Sequence, residues 1–352
     1  MCKKCTKSVD KKAPLLYNDI ERYQTIQKRC FALYNDYITN YKISQEQFDS
    51  ICDAVESKTM KRITIHKAYN KKTVENLLEL GMHRKAINID NCATFIEISK
   101  GADEIERITR ANFCRDRLCS ICAWRRQARF LATTEPALRK IDIETSGSAQ
   151  YIFVTLTVRN CTDKELKTTI SNVLRAWDRL YKRKPFSTNA LGCIRSVEVT
   201  YNQITDTYHP HIHALVLMRN EYFQRENFIT EDRLSAIWGH CLNVDYTPIT
   251  NIASVTQRNA GQSAVMSASL EVMKYSLKTK DYSISPRVTE TLFCALHGRR
   301  LISFSGVIAQ ARKELAFADL FEDDLTDDIE NVPPARKELY LFSASGWKII
   351  IE

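Results

Sequence analysis

Tyr208-His209-Pro210-His211-Ile212-His213-Ala214-Leu215-Val216-Leu217 is the stretch whose reading decides the fold. Val, Leu and Ile dominate its second half, which predicts a short buried strand. Side chains alternate faces along a strand, so His209, His211 and His213 are expected on one face. Ile212, Ala214 and Val216 then point the other way, into a core. Two imidazoles two residues apart on a rigid strand can grip one metal ion. The plainer alternative is a set of polar residues on the wet face of a sheet. Three of the chain's seven histidines fall within five residues, in strand register and against an apolar run, and this favours a metal site.

The neighbouring segments supply partners for that strand. Leu191–Tyr201 reads as a second strand, and Asn202–Thr207 turns the chain into the histidine strand as an antiparallel hairpin. Glu198 interrupts an otherwise apolar run and needs a partner if its face is buried; beside a histidine pair it is expected to be a third metal ligand. Tyr151–Val158 is β-branched and aromatic, a further strand. Residues 162–183 predict an amphipathic helix with Ile170, Val173, Leu174, Trp177 and Leu180 on one side. A helix is expected around Asp232–Cys241, a loop at 257–266, and another helix over Leu270–Tyr282. On that last helix Glu271 and Tyr275 share a face at i and i+4, with Lys274 and Lys278 alongside. Leu296–Gly306 returns to the sheet as strand or loop.

Upstream lies Asn91-Cys92, then Phe113-Cys114-Arg115-Asp116-Arg117-Leu118-Cys119-Ser120-Ile121-Cys122-Ala123-Trp124-Arg125-Arg126. Cys119 and Cys122 form a CxxC knuckle, and Cys114 with Cys92 can complete the four-sulfur arrangement of structural zinc. Buried thiols are the alternative. Arg115, Arg117, Arg125 and Arg126 around the cluster argue for an exposed, phosphate-seeking surface that favours thiolates. Cys2 and Cys5 form a second CxxC pair without a partner pair nearby.

The full chain of 352 residues has ample material for a core and carries a net charge of +9, which suggests a polyanionic partner such as nucleic acid. Asp319–Glu330 holds seven acids and no base, so the remainder is more basic still. No apolar run reaches the length of a membrane span, and the N-terminus lacks the apolar core of a signal peptide. A cytoplasmic protein is expected, with its twelve cysteines as thiols or metal ligands rather than disulfides. Four regions follow: a helical region over 1–90 with no assigned role, a cysteine-rich basic region over 91–145, a main domain over 150–310 and an acidic spacer and tail over 311–352. A Gly/Ser-rich linker at 144–150 separates the second from the third. Leu339–Phe342 and Trp347–Ile351 read as a last hairpin.

This set of motifs resembles the rolling-circle replication initiators of small bacterial plasmids, single-tyrosine members of the histidine–hydrophobe–histidine (HUH) endonuclease superfamily. The resemblance rests on 113–126, Phe-Val-Thr-Leu-Thr-Val-Arg-Asn at 153–160, Ile-Arg-Ser-Val-Glu-Val-Thr at 194–200, 209–213, Glu-Val-Met-Lys-Tyr at 271–275 and Leu-His-Gly-Arg-Arg-Leu-Ile-Ser-Phe at 296–304. Ser120 departs from it, since the family often has proline there. The resemblance implies an α+β fold, with a central antiparallel sheet flanked by helices and preceded by the helical and zinc-binding region. It further implies Mn²⁺ or Mg²⁺ held by His211, His213 and Glu198, with His209 as an extra ligand or a hydrogen-bond partner. Tyr275 is then the nucleophile that nicks single-stranded origin DNA, leaving a 5′-phosphotyrosine and a free 3′-OH. Glu271 activates the closing nucleophile or positions it. The implied partners are plasmid origin DNA and the host helicase and polymerase, in a bacterial cytoplasm. Rival readings are an HUH relaxase or single-strand transposase, a zinc-dependent DNA-binding regulator without catalysis, and a histidine phosphoesterase using metal-activated water.

Overall fold

The computed structural model describes residues 57–100, 106–255, 265, 268–269, 272, 283–318, 336–343 and 346–351. The fold is α+β, with two antiparallel sheets and flanking helices. By its contacts the chain divides into two compact units, Met1–Ala123 with Ser283–Thr289 and Asp323–Glu352, and Trp124–Tyr282 with Glu290–Glu322.

Among the described residues, the first unit begins with α1 (Lys58–Glu79) and α2 (His83–Asp90). Ser57 caps α1 by accepting a hydrogen bond from the Met60 N–H. Met60, Ile63, Asn70, Val74 and Leu77 recur at helical spacing as its buried stripe. Strands β1 (Phe95–Lys100) and β2 (Glu106–Ala111) form an antiparallel pair. The C-terminal strands β8 (Arg336–Ser343) and β9 (Gly346–Ile351) form the expected hairpin, and β8 pairs with β1, giving the order β2-β1-β8-β9. The last hairpin is as expected; it belongs to a four-stranded sheet because β1 and β8, short segments far apart in sequence, complete each other.

The second unit holds the five-stranded sheet, in the order β6-β3-β5-β4-β7, every pairing antiparallel. Its strands are β3 (Ala149–Thr157), β4 (Ala190–Asn202), β5 (Thr207–Arg219), β6 (Thr250–Ser254) and β7 (Ile302–Ser305). The long hairpin of β4 and β5 is its spine. Helix α3 (Ser120–Thr145) precedes β3; between them Ser146 and Gly147, both at positive φ, make a tight turn where the sequence suggested a linker. Helix α4 (Asp163–Tyr181) begins with a capping box of Thr162 and Glu165 and buries Leu166, Ile170, Val173, Trp177 and Leu180. Further helices among the described residues are a short α5 (Phe186–Asn189), α6 (Glu231–Leu242), α7 (Pro286–Leu296) and α8 (Gly306–Ala318).

Ile212, Ala214 and Val216 are buried as expected, but Leu215 and Leu217 on the histidine face are buried too. They belong to a cluster with Tyr151, Ile194 and Ile302 that Leu138 and Ile141 of α3 and Ile308 of α8 cover. One face of the sheet is therefore half core and half site: apolar under α3 and α8, polar from His213 to His209. Gly306 makes the junction of β7 and α8 possible. It has φ +59, and a Cβ there would stand 2.0 Å from the Leu191 carbonyl oxygen.

Candidate metal centres

Antiparallel register puts Glu198 of β4 directly opposite His211 of β5, and His213 opposite Ser196, so all three side chains share a face. Glu198 Oε2 lies 2.8 Å from His211 Nε2 and 3.3 Å from His213 Nε2. Glu198 is 2% exposed and His211 8%. The rings are fixed from behind. His211 Nδ1 lies 3.2 Å from the His209 carbonyl oxygen, which can only accept, so Nδ1 carries the proton. His213 Nδ1 lies 3.1 Å from the hydroxyl of Thr155, its neighbour across β3. In the neutral ring His211 Nε2 then presents a lone pair to a carboxylate oxygen, an arrangement that calls for a positive centre. Cis donors around an octahedral ion at about 2.1 Å lie about 3.0 Å apart, close to the spacings seen. The residues fit a divalent ion bound by two nitrogens and an oxygen, with further coordination positions left for water or substrate.

His209 is placed differently. Its Nδ1 donates to Asn160 Oδ1 at 2.9 Å, and it stands outside the group formed by Glu198, His211 and His213. Burial, then the nearby His211, holds its pKa below the ordinary imidazole value. Beyond the end of β3, Arg159 lies over the Tyr246 ring, 4.0 Å from its centroid, and its N–H donates to the Tyr246 hydroxyl at 3.0 Å. Arg159 entered the sequence reading only within the 153–160 motif and Tyr246 not at all, because nothing local links two residues so far apart along the chain. Glu271, Lys274, Tyr275 and Lys278 lie outside the described residues.

The second centre is in the first unit. Cys92, Cys114, Cys119 and Cys122 offer sulfurs that all lie within 4.8 Å of one another. Cys92 Sγ is 3.6 Å and Cys114 Sγ 3.7 Å from Cys122 Sγ. A tetrahedron with zinc–sulfur bonds of about 2.3 Å has edges of about 3.8 Å, so the cage has the right size. Hydrogen bonds from Cys114, Cys122 and Cys92 push the Cys119 thiol well below its ordinary range, while sharing with Cys114 pushes Cys92 up. Metal is bound by the thiolate form of such sulfurs. Asp116 holds the turn before the knuckle, accepting from the Leu118 N–H at 2.9 Å and pairing with Lys85. Arg115 is exposed, with φ +57, while Arg117, Arg125 and Arg126 are half-buried. Cys161, Cys193 and Cys241 are free thiols elsewhere. Among the described residues no helix is long and apolar enough to cross a membrane.

Comparison with known proteins bears on both centres. A family model described as "Replication protein" matches residues 105–346, which include both glutamate–histidine strands and three of the four cysteines. The chain is 31% identical over 274 residues to Protein rep of Streptococcus pneumoniae serotype 2 (strain D39 / NCTC 7466), covering 76% of this chain and 84% of that one. It is 32% identical over 261 residues to Protein rep of a Bacillus species, covering 69% and 84%. A Replication protein of Staphylococcus aureus is 30% identical over 197 residues, covering 53% and 84%. No solved structure matches the chain.

Proposed function

This chain is a member of the Replication protein family, and from that premise we propose that it initiates rolling-circle replication of a plasmid by nicking one strand at the double-strand origin. The observation that carries the reading is the convergence of His211 Nε2 and His213 Nε2 on Glu198 Oε2. Mn²⁺ or Mg²⁺ bound there would draw electron density from the scissile phosphodiester and stabilise the charge that builds up during transfer.

The protein's own groups do the rest. Thr155 and the His209 carbonyl hold the imidazole rings so that their Nε2 atoms face the carboxylate. Tyr275, assigned by resemblance, attacks phosphorus through its phenolic oxygen. The P–O3′ bond breaks as the P–O(Tyr) bond forms; the phenol gives up its proton and the leaving 3′ oxygen takes one. The products are a 5′-phosphotyrosine, which conserves the bond energy for rejoining, and a 3′-OH that primes a host polymerase behind a host helicase. Glu271, one helical turn before Tyr275 on the expected helix, activates or positions the closing nucleophile. The cysteine cluster holds zinc as a structural site, and Arg115, Arg117, Arg125 and Arg126, with Lys274 and Lys278, contact DNA phosphates. The cytoplasm of a bacterium is where such a protein works.

The test is incubation of the pure protein with Mn²⁺ and labelled single-stranded origin DNA, read on a denaturing gel and by peptide mass mapping. The expected result is a 5′-linked adduct on Tyr275. Cleavage without an adduct would transfer the reading to metal-activated water, and binding without cleavage to a regulator.

A further inference from the structure

The apolar stripe of α1 has a polar interruption. Between Ile63 and Val74 the buried positions are Thr64, Asn70 and Thr73, with Lys67 half-buried, and Asn70 is 3% exposed. Burying an amide in a helix face costs free energy unless both of its ends are bonded. Here they are, and both bonds go to the cysteine knuckle. Asn70 Nδ2 donates to Cys119 Sγ at 3.2 Å, and Asn70 Oδ1 accepts from the Ser120 N–H at 2.6 Å. One turn earlier, His66 Nδ1 lies 2.6 Å from the Ser120 hydroxyl. Lys67 has its ammonium 4.4 Å from the centre of the Phe342 ring and donates to the Asp90 carbonyl oxygen at 3.4 Å; burial holds its pKa down at about 8, opposed by Asp90 and by Cys92, Cys119 and Cys114.

We propose that α1 is the clamp of the metal centre: Asn70 and Lys67 are positioning residues that hold Cys119 in its metal-binding geometry and offset the charge of the sulfur cage. The helix lies ahead of the family-matched residues 105–346 and had no role in the sequence reading. Four thiolates around one Zn²⁺ carry a net charge of −2, which a buried site tolerates only with N–H donors and cations nearby. The Asn70 amide supplies a donor to the sulfur, and the Lys67 ammonium supplies the cation. Ser120 makes the clasp possible in this chain, because a proline at that position has no N–H to give Asn70. The inference rests on the proposal that the four cysteines bind zinc.

The experiment uses the full chain, loaded with one equivalent of Zn²⁺, and titrates the metal out with a chromophoric chelator. Asn70→Ala should weaken zinc binding by about 10- to 100-fold. Asn70→Asp should weaken it as much, since it keeps the acceptor for Ser120 but turns an acceptor towards the sulfur. Ser120→Pro, tolerated at the first position of a helix, should speed zinc loss several-fold without unfolding the chain. The control is Asn76→Ala: Asn76 is a buried amide on the same helix that donates to Thr289 Oγ1 at 3.0 Å, away from the sulfurs. Equal losses for Asn70→Ala and Asn76→Ala would reduce the clamp to general helix stability and overturn it. A wild-type chain that takes up no zinc would overturn the metal reading itself, and the clamp with it.

Discussion

The two candidate centres solve opposite problems. The cysteine cage surrounds its ion position with four sulfurs, three of them on buried residues, and leaves no ligand position open. The sheet site offers two nitrogens and one carboxylate oxygen on one face, so coordination positions remain for water and substrate. Closed, soft-donor sites hold structure together, whereas open, harder-donor sites do chemistry. The backbones differ accordingly. The sheet ligands sit on two strands in direct register, which fixes their spacing to the pleat. The cage draws on a helix-to-strand turn, a loop and the first turn of a helix, and hydrogen bonds from Asn70 and from the Cys114 N–H reach its sulfurs.

If that contrast is right, damage to one centre should leave the other intact. The largest effect is expected from removing the cage: Cys119→Ser, or zinc ejection by a mercurial, should forfeit several kcal/mol or more of metal-coupled folding free energy. Circular dichroism and melting should record that loss, while Mn²⁺ still binds at the sheet. Tyr275→Phe should lower nicking by about 10⁴-fold or more and abolish the adduct, yet keep single-strand affinity within about 2-fold in a gel-shift assay. Glu198→Ala should weaken Mn²⁺ binding on the order of 100-fold by calorimetry with zinc content unchanged; joint loss of both metals would break the comparison. Tyr246→Ala, which removes the ring under Arg159, should weaken single-stranded DNA binding by roughly 5- to 10-fold if a base stacks there.

The smallest effect concerns acid. Burial alone would raise the Glu106 carboxyl, but hydrogen bonds from the Thr59 N–H and the Ser57 hydroxyl, both 2.9 Å from its Oε2, outweigh it and hold the pKa below the ordinary value. A depressed folded pKa means stability that is present above the ordinary carboxylate range and is lost as pH falls through the folded value. Glu106→Gln should therefore cost about 1 kcal/mol at neutral pH, after allowance for partial solvent screening, and flatten the acid limb of the stability curve.

How much was legible in the sequence differs between these regions for a physical reason. Strands β4 and β5 are joined by a short turn, so alternation and the position of Glu198 already imply the pairing with His211. The capping box of Thr162 and Glu165 marks the start of α4 in the same local way. The Asn70 clasp spans 49 and 50 residues along the chain, and no local pattern announces it. The pairing of β1 with β8 is longer still, and no local pattern announces that the last hairpin joins β1 and β2 in one sheet. Burial of Leu215 and Leu217 fits the reading of that half as a buried strand, but what covers the histidine face at that end, α3 and α8, has no local signal.

That long pairing has a consequence for how the protein is made. Phe95 meets Leu341 across the β1–β8 ladder, so the first unit is interrupted in sequence by the whole of the second. On the ribosome, the five-stranded sheet has all its strands once residue 305 has emerged, while β1 still lacks a neighbour on one side. The four cysteines are exposed to the cell long before the strands that finish their sheet are translated. Early capture of metal by the cage would then steady a half-built unit until its last two strands arrive.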